Sequence, residues 1–307
     1  MTLVTRVATG ATAALLGLAV ALGGATVPAA AADAATLTGI VLGVGADQAQ
    51  RTVTWYSSAD IAQKVQVVPT EQVVNGEFPA NAPTFDAVGG ANVSGGKFNR
   101  HATITNLQES TAYSYRVGTD GNWSTAYAFK TQKFEGEYDF LFFGDPQIGS
   151  SGDVPKDQAG WVDTVNVATA ANPDAELLVS GGDQVETAGT ETQWDAFLAP
   201  DGLRQYPWVA TIGNHDVGSK AYEQHFTVPN SDRSGPLYSN GNPASNNSGG
   251  DYWFIYKDVL FIDLNSNSYA TSQGGGGDAA HVKYVTDVVN QHGAEAKWTV
   301  LVFHHAM

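Results

Sequence analysis

Four short stretches carry side chains able to bind a metal or move a proton. They are Gly144-Asp145-Pro146-Gln147, Gly182-Asp183-Gln184-Val185-Glu186, Gly213-Asn214-His215-Asp216 and Phe303-His304-His305. Asp145, Asp183, Asn214 and His304 lie 38, 31 and 90 positions apart in succession. Carboxylate and amide oxygens with an imidazole nitrogen form a hard, oxygen-rich donor set that suits divalent Mn, Fe or Zn. Taken singly, Gly-Asp or Asn-His after a strand is ordinarily a capped turn, and a lone histidine is ordinarily structural. Recurrence at four successive strand ends sets these stretches apart. The chain has no cysteine, which excludes disulfides, thiolate metal sites and cysteine nucleophiles. No Gly-x-Ser-x-Gly follows a strand, which argues against a serine hydrolase, and there is no P-loop.

Apolar runs must position these residues. Residues 138–143, 175–180, 208–212 and 298–303 read as buried strands, each ending at one of the four stretches. Helical spacing covers residues 158–171, 191–198 and 279–291. Strand–helix alternation implies βαβ units and a largely parallel sheet, with consecutive strand ends on one edge. That edge is where ligands gather in open α/β sheets. Residues 252–256 and 259–264 flank Lys257-Asp258 as a hairpin. Residues 217–250 form a Gly/Asn/Ser-rich insertion that either rims the site or lacks fixed structure. Residues 274–277 read as a flexible glycine loop.

Upstream the character differs. Residues 52–56, 64–68, 102–107, 113–117 and 123–129 read as short strands separated by turn residues, the pattern of a small antiparallel sandwich. Trp55 and Tyr113 are its expected core anchors, His101 a surface residue, and residues 78–96 a loop. Before it, Arg6, an apolar stretch over residues 11–27 and the run Pro28-Ala29-Ala30-Ala31-Ala32 have the layout of a secretory signal peptide spanning residues 1–32. The expected mature protein is secreted, with no later stretch apolar enough to cross a membrane. With 31 acidic and 15 basic residues the formal charge is -16. Such a surface repels nucleic acid and anionic membranes, so neither is an expected partner.

Residues 36–132 resemble a fibronectin type III-like domain, through Trp55, the Leu107 to Val117 pattern and Phe129-Lys130-Thr131. Residues 136–307 resemble the calcineurin-like metallophosphoesterase superfamily, through Gly144-Asp145, Gly182-Asp183, Gly213-Asn214-His215-Asp216 and Phe303-His304-His305. The pairing is most similar to the purple acid phosphatase-like branch. It implies two domains, an all-β fibronectin type III-like sandwich and then an α/β metallophosphoesterase ββ-sandwich flanked by helices. It also implies hydrolysis of small phosphate mono- or diesters by a water activated between two divalent metal ions (Mn, Fe or Zn).

By the same resemblance Asp145 binds the first metal and Asp183 bridges both. Asn214 and His304 bind the second, and His215 stands beside the substrate to stabilise the transition state or protonate the leaving oxygen. Gln147, where the family usually has His or Gly, either gives its amide oxygen to the first metal or hydrogen-bonds near the phosphate. Glu186 stands where purple acid phosphatases carry a tyrosine ligand, and is expected instead to hold His215 in a carboxylate–imidazole pair. The family's final Gly-His-x-His is absent. The phosphoesterase domain is therefore expected to be truncated, lacking its C-terminal part, with an exposed apolar sheet edge. The alternative is a non-catalytic secreted binding protein with a degenerate phosphoesterase domain. The N-terminal domain is expected to be a spacer or a docking module, the latter for a cell wall or a protein partner.

Overall fold

The computed structural model describes residues 34–268 and 278–305. The signal peptide and the 274–277 loop lie outside the described residues. Nine strands come first: β1 (Leu37–Val44), β2 (Arg51–Ser57), β3 (Lys64–Pro69), β4 (Thr84–Asp86), β5 (Val88–Ala91), β6 (Phe98–Ile104), β7 (Ala112–Thr119), β8 (Asn122–Trp123) and β9 (Tyr127–Lys130). They form two facing layers whose alternate side chains meet in one core. Leu42, Val53, Trp55, Ile104, Tyr115 and Val117 are buried there. Trp55 and Tyr113 both belong to this core, and the Trp55 Nε1–H satisfies itself on Gln63 Oε1 at 2.7 Å.

The rest alternates strand and helix: β10 (Phe140–Phe143), α1 (Val154–Ala171), β11 (Leu177–Ser180), α2 (Glu191–Phe197), α3 (Gly202–Gln205), β12 (Trp208–Val209), α4 (Ala221–His225), β13 (Tyr252–Tyr256), β14 (Val259–Leu264), α5 (Asp278–His292) and β15 (Trp298–Phe303). β10, β11 and β12 pair in parallel. β13 and β14 form the expected hairpin, and β15 adds in parallel to β14. The period-2 alternation of β11 divides the packing. Leu177 and Val179 face Tyr252, Phe254 and Phe261 of the second sheet, while Leu178 faces Trp161, Trp194 and Phe197 of the helices. Helix α1 starts where Asp153 accepts from the Lys156 N–H at 3.1 Å, with Pro155 in its first turn. It ends at Asn172, ahead of Pro173.

Three features differ from the sequence expectation. First, the two domains share a sheet. β1 pairs in parallel with β12 through Gly43 and Trp208, giving a seven-stranded order β10-β11-β12-β1-β2-β6-β5. Second, residues 78–96 contain β4 and β5, short strands whose mostly exposed Thr, Gly and Ala positions carry no hydrophobic alternation. The 123–129 strand is likewise split into β8 and β9. Third, the 217–250 insertion is packed against the body. Ala221, Tyr222 and Phe226 join the core around Trp194 and Phe197, the Tyr222 hydroxyl donates to Ala210 O at 2.7 Å, and the Asn265 amide donates to Leu237 O at 2.9 Å. His101 is only partly exposed, and burial lowers its pKa, helped by Arg233. The strands expected to be buried over residues 138–143 and 298–303 are instead largely exposed, with Phe142 and Trp298 open to solvent, because β10 and β15 are the outer strands of their sheets. Among the described residues no helix is long and apolar enough to cross a membrane.

Candidate metal centre

The loops after β10, β11 and β12 meet at one edge of their sheet, and the end of β15, in the second sheet, reaches the same place. Backbone bonds lace the first two together: Gln147 N–H to Asp183 O at 2.8 Å, Ile148 N–H to Gln184 O at 3.1 Å and Glu186 N–H to Ile148 O at 3.0 Å. The chain turns sharply to do this. Asp145, Gln147 and Asp183 take left-handed φ values of 39°, 40° and 51°. Such conformations cost about 1–3 kcal/mol each and persist where the surroundings impose them. Two glycines allow the close approach. A Cβ on Gly182 (φ 96°) would lie 2.6 Å from His304 Nδ1, and one on Gly213 would collide with the Asp183 carboxylate and backbone.

Of the predicted ligands, Asp145, Asp183 and His304 offer atoms within 4.8 Å of one another. His304 lies at the centre. Its Nε2 is 3.3 Å from Asp183 Oδ2 and 3.0 Å from Asn214 Oδ1, while its Nδ1 is 3.6 Å from Asp145 Oδ1 and bonds Gly181 O at 2.8 Å. The four residues named from sequence are thus brought together. Their hard oxygen donors and one imidazole fit a divalent cation. Gln147 is anchored through nitrogen, its Nε2 donating to Glu186 Oε2 at 2.9 Å, so the oxygen is the atom it could give a metal.

The expected Glu186–His215 pair is present as an ion pair, but the hydrogen bond that orients the ring is made to the main chain. His215 Nδ1 bonds the backbone carbonyl of Glu186 at 2.8 Å, whereas the carboxylate lies 3.6 Å away and accepts from Gln147. The main chain orients the imidazole, and the side chain adds charge from a distance. One residue with a large part in the site had no role from sequence. Asp216 is fully buried and accepts from the N–H groups of Gly213 (2.8 Å), Gln184 (3.0 Å) and Val185 (3.3 Å), tying the third loop to the second. Its place two residues after Asn214 was the only available signal.

The electrostatics follow from this packing. Burial alone would push Asp183 up, but hydrogen bonds from His304 and the His215 N–H outweigh it and hold its carboxyl low. Burial pushes Asp216 up to about 7 against the pull of its backbone donors. The carbonyl of Glu186, with Asp183 nearby, raises His215. The bond to Asp183 raises His304 from 6.5 to about 9. In the metal-free protein the His304–Asp183 attraction is therefore fully present below pH 6.5 while Asp183 stays ionised, is lost as pH rises through about 9, and is lost again in acid where Asp183, held below its ordinary range, takes up a proton. A metal must displace that proton. Calorimetric affinity for added Mn or Zn should rise with pH and level off near 9. An affinity flat across that window would exclude His304 as a ligand.

Family models match both halves of the chain. Residues 37–131 match the purple acid phosphatase N-terminal domain, and residues 138–307 match the calcineurin-like phosphoesterase domain. No curated protein matches by sequence. Among solved structures, the purple acid phosphatase PPD1 from yellow lupin (Lupinus luteus) seeds aligns with a TM-score of 0.61 at 18% identity, over 88% of this chain and 51% of that one. PhoD aligns with a TM-score of 0.50 at 14% identity, over 85% of this chain and 60% of that one. At these identities the likeness is one of fold, and the chain spans about half the length of the lupin enzyme. The phosphoesterase match covers more than half of the sequence, from the strand before Asp145 to beyond His304: the chain belongs to the calcineurin-like phosphoesterase family.

Proposed function

We propose that this protein is a secreted, metal-dependent phosphoesterase hydrolysing phosphate mono- or diesters. In this reading Asp145, Asp183, Asn214 and His304 hold two divalent ions (Mn, Fe or Zn), with Asp183 shared. The observation that carries the reading is the convergence of Asp145, Asp183 and His304 within 4.8 Å, with Asn214 bonded to the same imidazole. When bound, such ions acidify a water and neutralise charge on the phosphoryl oxygens. Secretion rests on residues 1–32, with Arg6, the apolar stretch and the alanine run that follows.

The chain's own residues supply the proton chemistry. A carbonyl only accepts, so the bond to Glu186 O fixes a proton on His215 Nδ1. Nε2 is then the nitrogen left to act. With its pKa raised by that same bond, His215 holds a second proton on Nε2 more readily than a free imidazole. It can place that proton at the leaving oxygen, a contribution typically about 10²–10⁴-fold.

The reading is tested by hydrolysis of p-nitrophenyl phosphate and its bis ester with added Mn, Zn or Fe. Turnover that Asn214→Ala removes is expected. No turnover, or an Asn214→Ala variant equal to wild type, overturns the reading in favour of a non-catalytic binding protein. Because Glu186 stands in place of a tyrosine ligand and bonds Gln147, the iron-loaded protein should show no purple colour. A visible iron–phenolate absorption band would contradict that assignment.

A further inference from the structure

We infer that His305 is a substrate-binding residue, locked by Ser266 in the tautomer that offers Nε2–H to an anionic phosphoryl oxygen. The inference rests on the phosphoesterase reading of the neighbouring centre. His305 follows His304 at the end of β15, and the two ring centroids are 5.1 Å apart. The ring is exposed, and its Nε2 has no hydrogen-bond partner among the described residues.

The tautomer follows from counting protons. Ser266 is buried, and its Oγ meets His305 twice, at Nδ1 (2.8 Å) and at the backbone N–H (3.1 Å). The backbone N–H can only donate, so it occupies one acceptor site on the hydroxyl. If Nδ1 carried the ring proton, the hydroxyl would accept twice and its own buried O–H would have nowhere to go, which is unfavourable. If Nδ1 is bare, the O–H donates to it and every group is satisfied. The neutral ring then carries its proton on Nε2.

The serine itself is held. Asn265 N–H donates to Asp251 Oδ1 at 2.8 Å, and the Asn265 amide donates to Leu237 O at 2.9 Å. Two residues later, Ser268 Oγ bonds His281 Nε2 at 2.6 Å, and His281 Nδ1 bonds Asp251 Oδ2 at 2.6 Å, all buried. This Asp251–His281–Ser268 chain has the residue types of a hydrolytic triad, but its burial makes it a brace for the turn that carries Ser266. A neutral N–H donor next to a centre rich in carboxylates discriminates for phosphate oxygens without adding a competing cation.

Two measurements test this on the metal-loaded protein. Ring-nitrogen NMR of labelled histidine should place the neutral His305 proton on Nε2, and inorganic phosphate should shift that nitrogen. Ser266→Ala should mix the tautomers. In kinetics, His305→Ala should raise KM for p-nitrophenyl phosphate about tenfold, as for one lost hydrogen bond to a charged group, with kcat less affected. His305→Gln, whose amide N–H can replace Nε2–H, should recover most of the loss. A proton on Nδ1, a ring insensitive to phosphate, or an unchanged KM in His305→Ala overturns the inference. A wild type that hydrolyses neither ester removes the phosphoesterase reading instead, and the phosphate titration still decides His305.

Discussion

Asp183→Asn is expected to weaken divalent-metal binding by more than about 100-fold and to remove turnover with it. Outer partners of metal ligands already cost about 10–100-fold when changed, and Asp183 is an inner one. Its backbone is turned left-handed, its carboxylate is almost wholly buried, and it is contacted from the loops of both Asn214 and His304. The His215 N–H donates to Oδ1 at 2.9 Å, so Oδ2 is the oxygen left facing His304. An amide keeps the size but loses the charge. Whichever way it turns, its NH₂ either confronts the His215 N–H or replaces the oxygen beside His304. Metal content and calorimetry on the purified variant check this. A variant that keeps the wild-type metal content would remove Asp183 from the centre.

The parts of the site that sequence made legible are those fixed by local pattern. Asp145 and Asp183 each follow an apolar strand, Asn214 follows the Trp208 run, and the last strand ends in His304-His305; strand ends located these positions, and the family resemblance chose His304 within the pair. The relation of the two domains was not legible in this way. β1 joins β12 at a single register pair, Gly43 with Trp208, 165 positions apart in the chain. No periodicity within either segment encodes so distant a contact. The part of Glu186 that holds the ring was hidden for a similar reason. A carboxylate near a histidine suggests a side-chain pair, but the turn through Val185 and Glu186, held by Ile148, brings the backbone carbonyl to the imidazole first. Ser266 and His281 are 39 and 24 positions before His305, and ordinary surface residues would look the same in the sequence. Only the folded turn shows that both are buried and that Ser266 bonds the ring.

The largest effect on stability is expected at a residue that touches no ligand position. Asp216→Ala should cost about 3–5 kcal/mol, because three backbone N–H groups at a fully buried position lose their acceptor and each buried group left unsatisfied costs about 1–3 kcal/mol. The physical count is direct. Gly213, Gln184 and Val185 would each keep a backbone N–H pointing at an apolar methyl, with the carboxylate that satisfied them gone. At about 2–4 °C per kcal/mol for a domain of this size, the melting temperature should fall by roughly 10 °C. Asp216→Asn should be intermediate, because one amide end still accepts while the other meets N–H groups with N–H. The damage should also reach the metal centre without touching it. The three bonds hold the Asn214 loop against the Asp183 loop, and Gly213 packs directly on Asp183. Loosening them frees Asn214 and the His215 N–H from their register with the carboxylate, so metal affinity should fall in both variants. Calorimetric unfolding of the metal-free proteins separates the two effects. A loss in metal affinity with an unchanged metal-free melting temperature would mean that Asp216 acts on the ligands rather than as the clamp between their loops.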